Sequence, residues 1–242
     1  MRVAVISDIH ANYHALEAVF AAIDLEQPDD VWCLGDLVGY GPQPNRCCIA
    51  IAGRATLSLC GNHDLAVLGT LSIETFTPDA AEAARWSAGV LADDARSYLA
   101  GLLPSLRRKD AELYHGSPRD PVWDYVMTEE AAFDSLALTT APLVLVGHTH
   151  LPLALTLRGN SIIGGLAPGG TEVELGETRW LLNPGSVGQP RDGDSRAAWL
   201  MLDLDEGVAS FRRTEYPIER TQAEITELGL PAALATRLAL GQ

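Results

Sequence analysis

Short apolar runs alternate with amphipathic stretches from residue 3 to about residue 150. Residues 2–7 predict a buried strand. Residues 13–25 predict a helix with Leu16, Val19, Phe20 and Ile23 on one face and Asn12 as its N-cap. A second strand at 31–34 leads into the loop Gly39-Tyr40-Gly41-Pro42, and a helix starts at Pro44. A third strand is expected at 55–60. Residues 66–110 read as mostly helical, started by Thr77-Pro78 and closed by Pro104. Strands at 112–115 and 143–146 flank a helix capped by Thr128, with Glu129 and Glu130 in its first turn. This alternation predicts an α/β architecture.

After His150 the strand-like pieces (153–157, 171–175, 179–182, 197–202 and 208–216) are punctuated by Gly and Pro, as in antiparallel hairpins. Two helices, 217–228 and 231–240, follow with Gly229 as the break. No repeat or low-complexity linker interrupts the chain. A single domain over residues 1–242 is expected, with 66–110 as a helical insert beside the site.

Charge and cysteine content narrow the function classes. The 17 Lys+Arg against 32 Asp+Glu give a formal net charge of -15 over 242 residues. So acidic a chain is a poor partner for polyanions, which argues against non-specific nucleic-acid binding and against a nuclease acting on long polymers. The longest apolar runs, such as 143–146 and 198–202, are far short of the roughly 20 residues of a membrane span. Cys33, Cys47, Cys48 and Cys60 show no Cys-x-x-Cys spacing and read as reduced, buried thiols. The first eight residues reach Asp8 too soon for a secretory signal, so a cytoplasmic location is expected.

The chemistry gathers where strands end. The first predicted strand ends in Ser7-Asp8-Ile9-His10, the second in Gly35-Asp36 and the third in Gly61-Asn62-His63-Asp64. The next two end in His115-Gly116 and Gly147-His148-Thr149-His150. In open α/β sheets the ligand crevice lies outside those carboxyl ends. Alternation along an extended segment would aim Asp8 with His10, and His148 with His150, at one spot. Five of the six histidines sit in these positions; His14, on the first helix, reads as structural. Carboxylate, carboxamide and imidazole suit divalent Mn, Fe, Ni or Zn. Seven candidate ligands exceed the needs of one ion, so two ions sharing a carboxylate are expected, with Asp36 as the bridge.

As an ordered set, Asp8-Ile9-His10, Gly35-Asp36, Gly61-Asn62-His63-Asp64, His115 and Gly147-His148-Thr149-His150 resemble the calcineurin-like metallophosphoesterases. Asn183-Pro184-Gly185-Ser186 is similar to a loop of the family's bacterial phosphodiesterase branch, which includes diadenosine tetraphosphatase-like members. The resemblance implies a four-layer α/β/β/α sandwich of two mixed β-sheets flanked by helices. It implies one ion held by Asp8, His10, Asp36 and His150, and another by Asp36, Asn62, His115 and His148. His63 would be the general acid, oriented by Asp64, and a metal-bridging hydroxide the nucleophile.

The protein-phosphatase branch continues Gly-Asp into an Asp-Arg-Gly, whereas this chain reads Gly35-Asp36-Leu37-Val38. A small phosphodiester or nucleotide-type substrate is therefore expected, dinucleoside polyphosphates among the candidates. The alternatives are a phosphomonoesterase or protein phosphatase of the same fold, or a non-catalytic scaffold. Arg119 and Arg191 lie in loops with reach to a second phosphate. Trp123 and Tyr125 either stack a base or pack in the core.

Overall fold

The computed structural model describes residues 1–108 and 111–242. Its first half runs β1 (Arg2–Ile6), α1 (Tyr13–Glu26), β2 (Asp30–Cys33), α2 (Pro44–Arg54), β3 (Leu57–Ser58) and α3 (Asn62–Val67). Helices α4 (Pro78–Val90) and α5 (Asp93–Ala100) follow, then β4 (Ser105–Arg107), β5 (Ala111–Tyr114), α6 (Glu129–Ala137) and β6 (Leu143–Leu145). The remainder holds β7 (Pro152–Arg158), β8 (Ser161–Leu166), β9 (Glu172–Glu174), β10 (Trp180–Pro184), β11 (Ala197–Asp203) and β12 (Val208–Thr214). It ends in α7 (Ile218–Glu227) and α8 (Ala232–Leu240).

The strands form two six-stranded mixed sheets, ordered β3-β2-β1-β11-β12-β9 and β4-β5-β6-β10-β7-β8. In the first, β1, β2 and β3 are parallel, with Val5 opposite Trp32, and β11 returns antiparallel with Leu200 opposite Val5. In the second, β5, β6 and β10 are parallel, and β4, β7 and β8 run against their neighbours.

Side-chain alternation along β1 decides the layers. Val3 and Val5 face the second sheet, in a core with Trp32, Leu113, Leu145, Leu182 and Phe211. Ala4 and Ile6 face the other way, into Leu16, Val19 and Ile23 of α1 and Ile51 of α2. The outer face of the second sheet, Val144, Val146 and Leu181, packs on Ala132 and Leu136 of α6. Helix, sheet, sheet, helix is the four-layer order expected. A fully buried Leu, Ile or Phe here contributes about 1.5–3 kcal/mol relative to exposure.

The predicted caps form: Asn12, Thr77 and Thr128 accept from the amides of Ala15, Ala80 and Ala131 at 3.2, 3.4 and 3.1 Å. The strand expected at 55–60 shrinks to Leu57–Ser58, because Ala55 caps α2 and the amide of Cys60 turns to the Leu103 carbonyl. Strand β8 was not expected. Its Ser161-Ile162-Ile163-Gly164-Gly165-Leu166 is an edge strand without a buried face, so no alternation marks it. The 66–110 segment contains α4 and α5 but closes in β4, and its Lys109 and Asp110 lie outside the described residues. All four cysteines are free and buried. Among the described residues no helix is long and apolar enough to cross a membrane.

Candidate metal centre

Asp8 and His10 follow β1, Asp36 follows β2, and Asn62 and His63 open α3 just after β3. His115 follows β5, while His148 and His150 follow β6. The carboxyl ends of both sheets therefore empty onto one rim, where all seven expected ligands are at most 3% exposed. Their convergence does not come from strand alternation. Asp8, His10, Asp36, His148 and His150 all have positive φ, between 48° and 64°, which non-glycine residues adopt rarely and at a cost. Left-handed backbone curls each loop so that its side chain turns inward.

Two glycines open the space. A Cβ on Gly61 would stand 2.0 Å from Asp36 Oδ1, and one on Gly147 would stand 2.2 Å from Ser7 Oγ.

The imidazoles are held in one tautomer by main-chain carbonyls. Nδ1 of His10, His115 and His150 donates to Val38, Leu34 and Gln189 carbonyls at 3.2, 2.9 and 2.5 Å. When neutral, a ring held in this way presents an Nε2 lone pair to the centre. Those lone pairs meet other imidazole nitrogens: His10 Nε2 lies 3.0 Å from His150 Nε2, and His115 Nε2 lies 3.2 Å from His148 Nδ1. Two lone pairs at that distance repel unless a proton or a cation lies between them. Asp8 Oδ1 is 3.5 Å from His150 Nε2, and Asn62 Oδ1 is 3.3 Å from His115 Nε2. Asp36 Oδ2, buried with no hydrogen-bond partner, lies 3.6 Å from His10 Nε2 and 3.4 Å from His115 Nε2. Asp8, His10 and His150 make one group able to hold a metal ion, and Asp36, His115 and His148 another. Hard carboxylate oxygens with neutral imidazoles fit a divalent transition ion.

The charge state of the clustered donors follows from burial and from Asp36. Burial pushes His63 down to about 4 and His148 to about 3, and holds His10 and His150 well below the usual imidazole range. Burial also disfavours charge on His115, but the adjacent Asp36 carboxylate outweighs it and lifts His115 to about 9. Burial likewise works against Asp36, yet His115 and His63 keep its carboxyl far below the ordinary range. Asp8 rises to about 7 through burial, with the charge of Asp36 adding to it.

A family model described as the calcineurin-like phosphoesterase superfamily domain matches residues 1–207. The chain belongs to this superfamily. It is 35% identical over 246 residues to an uncharacterized protein of Methanocaldococcus jannaschii, covering 99% of this chain and 98% of the relative. It is 40% identical to the metallophosphoesterase of Sphaerobacter thermophilus, whose crystal structure matches with a TM-score of 0.92 over 100% of this chain and 99% of that one. The crystal structure of a hypothetical protein from Pyrococcus horikoshii, 18% identical, shares the fold with a TM-score of 0.81, over 100% and 98% of the two chains. The superfamily is metal-dependent, and the clustered donors of this chain are the residues able to serve that dependence.

Two expectations about this superfamily member change on contact with the geometry. Asp64 does not hold the His63 ring. Its Oδ1 accepts from the amides of Leu37 and Val38 at 2.9 and 3.1 Å, and its Oδ2 from Gly61 at 2.9 Å. Asp64 thus straps the Asp36 loop to the start of α3, and His63 Nδ1 is buried without a partner. Arg119 is committed elsewhere: it forks onto Asp124 at 2.6 and 2.9 Å and reaches Asp134 at 3.1 Å. Arg191 does face the centre. It donates to Gln189 Oε1 at 3.0 Å and Tyr40 Oη at 3.4 Å, and its charge acts on Asp8, His10, His63, His148 and His150. His14 pairs with Glu224 at 2.8 Å, a structural role.

Sequence reasoning missed the three carbonyls, which carry no side-chain signal. It also missed Tyr40 and Phe76, whose rings lie 4.4 and 4.7 Å from that of His63.

Metal uptake should respond to pH. The proton that His115 carries below about 9 must leave before Nε2 can donate to a cation, so affinity should rise with pH across that range. Asp8 steepens the rise below about 7. Titration calorimetry of Mn in buffers of different ionisation heat should show about one proton released near neutrality for an ion held by the Asp36, His115 and His148 group. A pH-independent affinity with no proton release would remove His115 from the ligand set.

Proposed function

We propose that this protein hydrolyses small phosphodiester or nucleotide-type substrates with two divalent ions bound per chain. The observation that carries the reading is the buried, partnerless Asp36 Oδ2, which stands between the Asp8/His10/His150 group and the His115/His148/Asn62 group. A carboxylate shared in this way is what a two-ion site requires. The bound ions would neutralise phosphate oxygens and lower the pKa of the attacking water.

The chain's own residues supply the rest. His63 holds the proton for the departing alkoxide, worth about 10²–10⁴-fold in rate. Its Nδ1 packs where a Cβ on Gly39 would come within 2.4 Å, so Nε2 is the nitrogen that meets substrate. A phosphoester anion beside the ring favours its protonated form, offsetting the burial that otherwise keeps it neutral. Arg191 supplies a cation for a phosphate oxygen at the edge of the centre. The main-chain amide of His63 donates to Asp36 Oδ1 at 2.9 Å and so ties the acid to the shared carboxylate. The buried, reduced thiols accord with a cytoplasmic site of action, which belongs to the same proposal.

Purified protein loaded with Mn should hold two ions per chain by elemental analysis and turn over bis(4-nitrophenyl) phosphate. Faster turnover of phosphomonoesters or phosphopeptides than of diesters and dinucleoside polyphosphates would move the reading to a phosphatase. A chain that binds no ions and turns over nothing would be a scaffold.

A further inference from the structure

Four aromatic side chains surround the mouth of the metal centre, and the proposed chemistry uses none of them. Tyr125 stacks on His148 with ring centroids 3.9 Å apart and planes 28° apart, while 44% of the residue is exposed. Phe76 lies 4.7 Å from His63, and Trp123 meets Phe76 edge-on at 5.7 Å. Tyr40 fills the gap between His10 and His63 at 4.6 and 4.4 Å. Phe76 and Tyr40 are half-buried against apolar clusters of the core, whereas Trp123 and Tyr125 belong to no such cluster among the described residues, so core packing does not account for these two.

The loop that presents Trp123 and Tyr125 is braced before any ligand arrives. Asp120 Oδ1 accepts from the amides of Val122 and Trp123 at 3.0 and 3.1 Å, and the Gly116 amide donates to the Pro121 carbonyl at 2.8 Å. Arg119 and Ser117 both bind Asp124, and Arg119 also reaches Asp134 in α6. Exposed aromatic faces held on a stiff loop lose little entropy when a planar group stacks on them. Because Phe76 and Trp123 stand on the His63 side, that planar group lies on the side where the leaving oxygen is protonated.

We propose that Phe76, Trp123 and Tyr125 form a stacking site for the base of a nucleotide substrate. This deepens the phosphoesterase reading and rests on it for the placement of the phosphate at the metal centre. The division of labour is chemical. The anionic phosphate faces the metal-ligand cluster and Arg191, while the neutral, flat base faces aromatic carbon. Stacking tolerates any base, so the site selects for a base without selecting strongly among them.

The test deletes the base and nothing else. Adenosine 5′-(methyl phosphate) and the matching ribose 5-(methyl phosphate) carry the same ester bonds. The wild-type, Mn-loaded enzyme should prefer the first by about tenfold or more in kcat/KM, mostly through KM. In Trp123→Leu the ratio of the two should fall towards one, and in Trp123→Phe it should be largely retained. Equilibrium dialysis of adenosine 5′-monophosphate against ribose 5-phosphate on the wild-type protein gives a readout independent of turnover and of any variant's folding. Preferred binding of the adenosine compound without turnover of either ester would support the stacking site and sink the phosphoesterase reading. Equal kcat/KM for both esters would sink the stacking site and leave the phosphoesterase reading standing. Equal or absent binding of the two monophosphates would also overturn the stacking site.

Discussion

Asp36→Asn should abolish turnover, by more than about 100-fold, and should cost the proposed two-ion centre at least one ion. The substitution is nearly isosteric. An Asn carbonyl at the Oδ1 position keeps the bond from the His63 amide, now 2.9 Å, so the loop and the fold have no reason to move. What changes is charge. The carboxylate lifts His115 against the cost of its burial, and its Oδ2 is the atom that lies within 3.6 Å of His10 Nε2 and 3.4 Å of His115 Nε2. An amide NH2 in that place donates to those lone pairs and competes with cations instead of attracting them. Elemental analysis after dialysis, alongside rates on a chromogenic diester, checks both halves. Two retained ions with undiminished turnover would mean that Asp36 bridges nothing.

His63→Ala should separate metal binding from catalysis. The side chain stands between Tyr40 and Phe76 with Nδ1 unpartnered, while the main-chain amide that braces Asp36 survives the change. Metal content should therefore stay at the wild-type level. The rate should drop by about 10²–10⁴-fold for diesters with alkyl leaving groups, whose alkoxides need a proton to depart. For a nitrophenyl leaving group, which departs as a stable anion, the loss should be much smaller. A plot of rate against leaving-group pKa is thus steeper for the variant than for the wild type. An alkyl diester hydrolysed by His63→Ala at the wild-type rate would take the acid role away from His63.

Much of this was legible in the sequence, for local reasons. Five apolar runs each close on Asp, Asn or His, and those residues stay near the strand ends whatever the rest of the chain does. Caps at Asn12, Thr77 and Thr128 depend on a side chain reaching an amide three residues away, so they too are written locally. Edge strand β8 was invisible because burial of one face, which produces alternation, is missing there. Asp64 misled because a carboxylate beside a histidine suggests a pair, and three amides from the loops at residues 37, 38 and 61 reach it first.

Arg119 and Arg191 illustrate the same boundary. Both are loop arginines after a Pro, and nothing in their neighbours tells them apart. Folding places Asp124 and Asp134 under Arg119, and leaves Arg191 beside Tyr40 and Gln189 at the rim.

The order of motifs, the α/β architecture and the identity of the clustered residues were thus determined by the sequence, because each rests on neighbours within a few positions. The left-handed turns at Asp8, His10, Asp36, His148 and His150, the carbonyls that orient three imidazoles, and the aromatic mouth were decided only by the tertiary structure. The reason is energetic: no local preference selects a costly backbone or an exposed ring, so both persist only where packing from distant segments imposes them.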